Sequence, residues 1–92
     1  MKYFDWSKVK NEWLKDQRGI SFDDVVDILE NEEFIDVVNH PNQTRYPNQK
    51  FFVVVLDNYV YLIPFVEDEE KFFLKTIIPS RKATKEYIKK KK

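Results

Sequence analysis

The chain has 92 residues, of which 42% are hydrophobic and 16% aromatic, enough for one domain with a single modest core. It has no cysteine and one histidine, which excludes a disulfide framework and a thiolate metal site and speaks against metal-centred catalysis. The formal charge is zero, but the signs are segregated: residues 1–40 hold five Lys and Arg against ten Asp and Glu, and residues 41–92 hold eleven against six. Within 71–92 the ratio is nine basic to one acidic, which points to a polyanion-facing end and a separate acidic face.

In chain order, KYFDW reads as a short strand or extended lead-in. A first helix is expected from about Ser7, with Trp6, Val9, Trp13 and Leu14 as its apolar face. Gly19 is the only glycine and sits where a helix must end in a positive-φ residue. Ser21 then reads as an N-cap, and SFDD as a loose capping box with Asp24 in place of Glu. Phe22, Val25, Val26 and Leu29 give a second helical stripe. Residues 1–31 are thus expected to form a helical hairpin that needs a sheet to cover it.

The sheet is expected over 34–78. FIDVV (34–38) is its first strand, and NHPNQTRYPNQ (39–49), rich in Pro and Asn, is a loop. FFVVVL (51–56) is a continuous apolar run, read as a strand buried on both faces. Asp57 and Asn58 suit a two-residue hairpin turn. YVYLIPFV (59–66) follows, where Pro64 cannot donate to a ladder and implies an edge or bulge. EDEE (67–70) is a turn and KFFLKTII (71–78) the last strand. Pro79 ends it, and Ser80 can cap a closing helix over 80–90. The fold class is therefore α+β: two N-terminal helices packed on one face of a mainly antiparallel four-stranded sheet, then a C-terminal helix. Trp13, Val26, Leu29, Val53, Val55 and Leu74 are expected in the core.

One Gly cannot build a phosphate loop, and the lone His40 lies in a Pro- and Asn-rich loop, where a surface role is the ordinary one. The acidic pairs sit at helix ends and turns, where acids serve local needs. What remains is a basic and aromatic set. Arg45, Lys71, Lys82 and Lys85 are candidates for holding RNA phosphates. Arg81 and Lys75 are candidates at the reacting phosphate, with Tyr61 and Tyr87 for stacking or proton transfer. RNA carries its own nucleophile, the 2′-hydroxyl, so no metal or other cofactor is required. Lysines alternating with apolar residues are equally the signature of a half-exposed sheet, and edge lysines also discourage aggregation. No apolar run approaches a membrane span and no signal-peptide pattern opens the chain, so a cytoplasmic location is expected.

The stretch YFDWSKVKNEWLKDQRGISFDDV resembles the opening of BrnT-family toxins. KTIIPSRKAT resembles that family's strand-to-helix segment, which tends to read Arg-Ile-Ile-Ser-Ala-Arg-x-Ala. Gly19, Ser21 and Phe22 match at the helix junction; Ile77, Ile78, Arg81 and Ala83 match near the end. Arg18 stands where the family usually has His, and Thr76 where Arg is usual. The resemblance implies a RelE-like fold and the toxin of a type II toxin–antitoxin pair. It also implies metal-independent cleavage of RNA and a cognate antitoxin as protein partner, expected to cover the basic surface near Arg81. The alternative is a non-catalytic protein-interaction or RNA-binding module of the same fold.

Overall fold

A computed structural model describes residues 2–88. The order is β1 (Tyr3–Trp6), α1 (Lys8–Arg18), α2 (Phe22–Glu30), β2 (Asp36–Asn39), β3 (Lys50–Leu56), β4 (Tyr59–Glu67), β5 (Lys71–Leu74), β6 (Ile78–Pro79) and α3 (Arg81–Tyr87). It is a small α+β fold with three helices and a mixed sheet. The strands run β1-β5-β4-β3-β2, and β6 shares the β5 edge of β4. Four pairings are antiparallel and one, β1 with β5, is parallel.

The four-stranded expectation is therefore corrected twice. The lead-in is a full edge strand, pairing Tyr3 with Lys71 through Trp6 with Leu74. The last strand, expected over 71–78, breaks after Leu74 and resumes at Ile78. Pro64 explains the break. Lys75 donates its N–H to the Pro64 carbonyl at 2.8 Å, so the proline's missing donor faces the same neighbour. The register then slips by one residue, from Phe65 opposite Leu74 to Leu62 opposite Ile78. This is a bulge at the position where the ladder lacks a donor.

The turns and caps follow from their residues. Gly19 closes α1 at φ 65°. Ser21 and Asp24 form a reciprocal capping box on α2. Asp57 and Asn58 turn the β3–β4 hairpin at φ 54° and 63°, the pair of positive values that a two-residue turn requires. Strand β2 begins at Asp36 rather than residue 34. The closing helix is described through Tyr87, with Ser80 as N-cap and Ile88 as C-cap; the rest of the expected 80–90 span lies outside the described residues.

Two cores result, one on each face of the sheet. Under α1 and α2, Leu14, Phe22, Val25 and Leu29 pack on Phe52, Val54, Ile63, Phe65, Leu74 and Ile77. Both early helices thus lie on one face, as the amphipathic pattern of α2 demands. On the other face Ala83 of α3 joins Val53 and Val60. Of the expected core, Val26, Leu29, Val53 and Leu74 are buried, whereas Val55 is half-buried.

Trp13 and Val9 are corrections, since they are 44% and 82% exposed. Trp6 lies in β1, before the helix begins, so its spacing to Val9 carries no helical phase. At 100° per residue, Val9 and Trp13 lie roughly 100–140° around α1 from Leu14. The buried residues of α1 are instead Asn11 and Leu14, and the exposed Arg18 follows on the same side of the helix. Asn11 is 7% exposed; its Oδ1 accepts the Phe22 N–H at 2.7 Å and its Nδ2 donates to Asp23 at 3.3 Å. A polar side chain thus joins the two helices from within.

Candidate nucleic-acid interface

The bulge and the closing helix set out the basic end of the molecule. Ile77 is buried in the helix-side core, and its carbonyl accepts from Arg18 Nη1 at 2.7 Å. Ser80 then donates its N–H to the Val60 carbonyl at 3.0 Å, and its hydroxyl accepts the Ala83 N–H at 3.1 Å. Thr84 fixes α3 on the sheet: Oγ1 accepts the buried Val60 N–H at 2.9 Å and donates to the Ser80 carbonyl at 2.7 Å. At the far end, the Tyr87 hydroxyl donates to Asp36 Oδ2 on β2 at 3.2 Å. A groove of about 330 Å³ lies between α3 and the sheet, lined by Phe51, Val53, Leu62, Lys82 and Tyr87 among others.

Four of the candidate cations belong to this end. Lys75 is exposed beside the bulge, and Arg81, Lys82 and Lys85 are exposed on α3. The ion pairs among the described residues are Lys2 with Glu67, Lys15 with Glu12 and Lys71 with Asp5. Lys75, Arg81, Lys82 and Lys85 take part in none of them, so their charges face solvent.

The remaining candidates sit elsewhere. Lys71 is half-buried, pairs with Asp5 at 3.2 Å and lies 5.8 Å over the Phe73 ring. The hydrogen bond to Asp5 raises its pKa above the usual lysine value, so this cation is already engaged. Arg45 lies in the loop that returns to the sheet at Lys50, opposite Phe65, whereas α3 begins beside Val60. Its guanidinium rests 5.6 Å over Tyr46.

The two tyrosines do not share a site. Tyr61 packs against the α1–α2 core, 5.7 Å from Tyr59, while Tyr87 packs with the α3 core. The sheet separates them. Burial and the bond to Asp36 hold the Tyr87 phenol above its usual pKa. It is therefore a neutral donor near pH 7, not a base.

Asn11 and Thr84, given no role in the sequence, fix α2 and α3, and Arg18, noted there only as standing where the resembled family has His, holds the Ile77 carbonyl. Each is a polar side chain at helical spacing from a core position, and that spacing was the available signal. His40 stays with the loop end, where its N–H donates to the Gln49 carbonyl at 2.9 Å and its ring lies 4.4 Å from Tyr46. The His40 ring also lies 5.3 Å from Phe51, a groove residue, and its Nδ1 accepts the Asn42 N–H at 2.9 Å. In the neutral ring the proton is then on Nε2.

Among the described residues no helix is long and apolar enough to cross a membrane, and no cluster of His, Cys, Asp and Glu is gathered to hold a metal ion. In comparison with known proteins, the chain matches no family model, no curated protein and no solved structure.

Proposed function

We propose that this chain is the toxin of a type II toxin–antitoxin pair, with a RelE-like fold, and that it cleaves RNA without a metal ion until a cognate antitoxin covers it. The observation that carries this reading is the exposed set Lys75, Arg81, Lys82 and Lys85, which joins no ion pair among the described residues and of which Lys82 lines an apolar groove. Free cations attract phosphates, and an apolar groove with Phe51 and Tyr87 offers a surface for a base. The layout of helix pair, largely antiparallel sheet and closing helix is also compatible with the resemblance of both chain ends to BrnT toxins.

The chemistry asks little of the protein. The RNA 2′-oxygen attacks the adjacent phosphorus as its proton leaves, the bond to the 5′-oxygen breaks, and that oxygen takes up a proton. The products are a 2′,3′-cyclic phosphate and a 5′-hydroxyl. Arg81 and Lys82 stabilise the charge that builds on the phosphoryl oxygens.

A second reading is favoured by one observation: Tyr61, Tyr87 and Lys71 do not converge on one point with Arg81. On that reading the chain binds RNA or a protein partner without cleaving. Unopposed expression in a bacterial host separates the two. The toxin reading requires growth arrest that Arg81→Ala relieves; normal growth with folded protein present favours the binding module.

A further inference from the structure

The acidic half of the molecule carries a second feature, at the end of the sheet that the helix pair leaves uncovered. Helix α2 stops at Glu30, and beyond it Phe4, Phe34, Phe52 and Phe72 line a pit of about 440 Å³. Phe52 is the floor, 5% exposed and stacked on Phe65 at 4.0 Å. Phe4, Phe34 and Phe72 stand around it with their centroids 6.2, 5.4 and 5.8 Å from the Phe52 ring. Those three rings are only half-buried, so the pit presents aromatic faces and edges to solvent.

Its rim is acidic. Glu30 and Glu32 line the opening and belong to no ion pair among the described residues. Both are placed against local preference. They sit at the C-terminal end of α2, where the helix dipole disfavours negative charge. Glu32 also adopts φ 56°, the left-handed conformation that normally selects glycine after a helix. A cation already rests on the same aromatic wall: the Lys2 ammonium lies 5.3 Å over the Phe72 ring.

We propose that this pit is a docking site for a partner protein that inserts an arginine or lysine flanked by apolar side chains. The phenylalanines take the aliphatic body and the apolar neighbours, the ring faces attract the cation, and Glu30 and Glu32 pair with its charge. The inference does not depend on the RNA reading, because it concerns the opposite face of the sheet from α3.

The test uses a fluorescein-labelled peptide with arginines between leucines and phenylalanines, titrated with the whole chain and followed by anisotropy. A matched peptide with citrulline in place of arginine is the control. Saturable binding is expected for the arginine peptide and much weaker binding for citrulline. The double variant E30Q/E32G should weaken arginine-peptide binding roughly threefold to tenfold. Glu32→Gly alone should raise the melting temperature while it weakens binding, a pairing of signs that a purely structural role for Glu32 does not give. No saturable binding, equal affinity for the citrulline peptide, or an unchanged affinity in E30Q/E32G overturns the proposal. So does a dimer of the free chain that E30Q/E32G dissolves, which assigns the pit to a second copy.

Discussion

Arg18 Nη1 reaches the carbonyl of Ile77 at 2.7 Å, joining the last turn of α1 to the bulge that interrupts the final strand. The guanidinium also lies 5.5 Å from the Trp13 ring centroid. Pro64 creates the irregularity and Arg18 satisfies one of the carbonyls that the irregularity takes out of the ladder. The basic segment from Lys75 to Lys85 is therefore positioned by a contact from the opposite end of the sequence.

Arg18→Ala should cost about 1–3 kcal/mol in urea unfolding, because the Ile77 carbonyl loses its partner. Arg18→Lys should recover part of this, since an ammonium can still donate but lacks the planar stacking surface over Trp13. Equal stability of wild type and Arg18→Ala would show that water replaces the guanidinium without loss.

Asn11→Ala should destabilise by a similar amount, about 1–3 kcal/mol, because the buried Phe22 N–H at the start of α2 is left without an acceptor. Amide exchange gives the sharper readout. Protection at Phe22 should fall in the variant while protection in β3 follows only the global loss. Unchanged protection at Phe22 would contradict the role assigned to Asn11.

Much of this architecture was legible in the sequence. The single glycine, the Ser21–Asp24 capping box, the Asp57–Asn58 turn and Pro64 each act through local backbone geometry, and each does in the fold what its chemistry requires. The inward face of α1 was not legible, because its buried residues are one Leu14 and the polar Asn11, which form no apolar stripe. The exposed Val9 and Trp13 supplied a false one. Strand β1 was ambiguous because its parallel partner, β5, lies at the other end of the chain, beyond any local signal. At the candidate site the exposed cations follow from charge alone. The separation of Tyr61 from Tyr87 depends on which face of the sheet each occupies, and a strand and a helix read apart do not reveal that.

Asp68 gives the pH prediction. Its Oδ1 accepts the N–H groups of Glu70 at 2.8 Å and Lys71 at 2.9 Å, and these bonds lower its pKa below the ordinary 3.8. The folded value lies below the unfolded one, so the carboxylate stabilises the β4–β5 turn above the unfolded value. That contribution is lost as pH falls through the lower folded value. Amide exchange at Glu70 and Lys71 should therefore accelerate, relative to the core, as pH falls below about 4. Asp68→Ala should show the faster exchange already at neutral pH. A turn whose protection ignores both changes would exclude this carboxylate as its fastener.

The central claim is that the segment from Lys75 to Lys85 engages RNA, with Arg81 at the phosphate that reacts. The direct measurement is cleavage of a single-stranded RNA in the presence of a chelator by wild type, Arg81→Ala and Lys8→Ala, each first shown to melt at the same temperature. Lys8 is an exposed cation on α1, so it controls for charge. Wild type and Lys8→Ala should cleave alike, leaving a 2′,3′-cyclic phosphate, and Arg81→Ala should be slower by roughly a hundredfold or more, the scale of removing one transition-state donor. Equal cleavage by Arg81→Ala and Lys8→Ala, or no cleavage by folded wild type, would contradict the account.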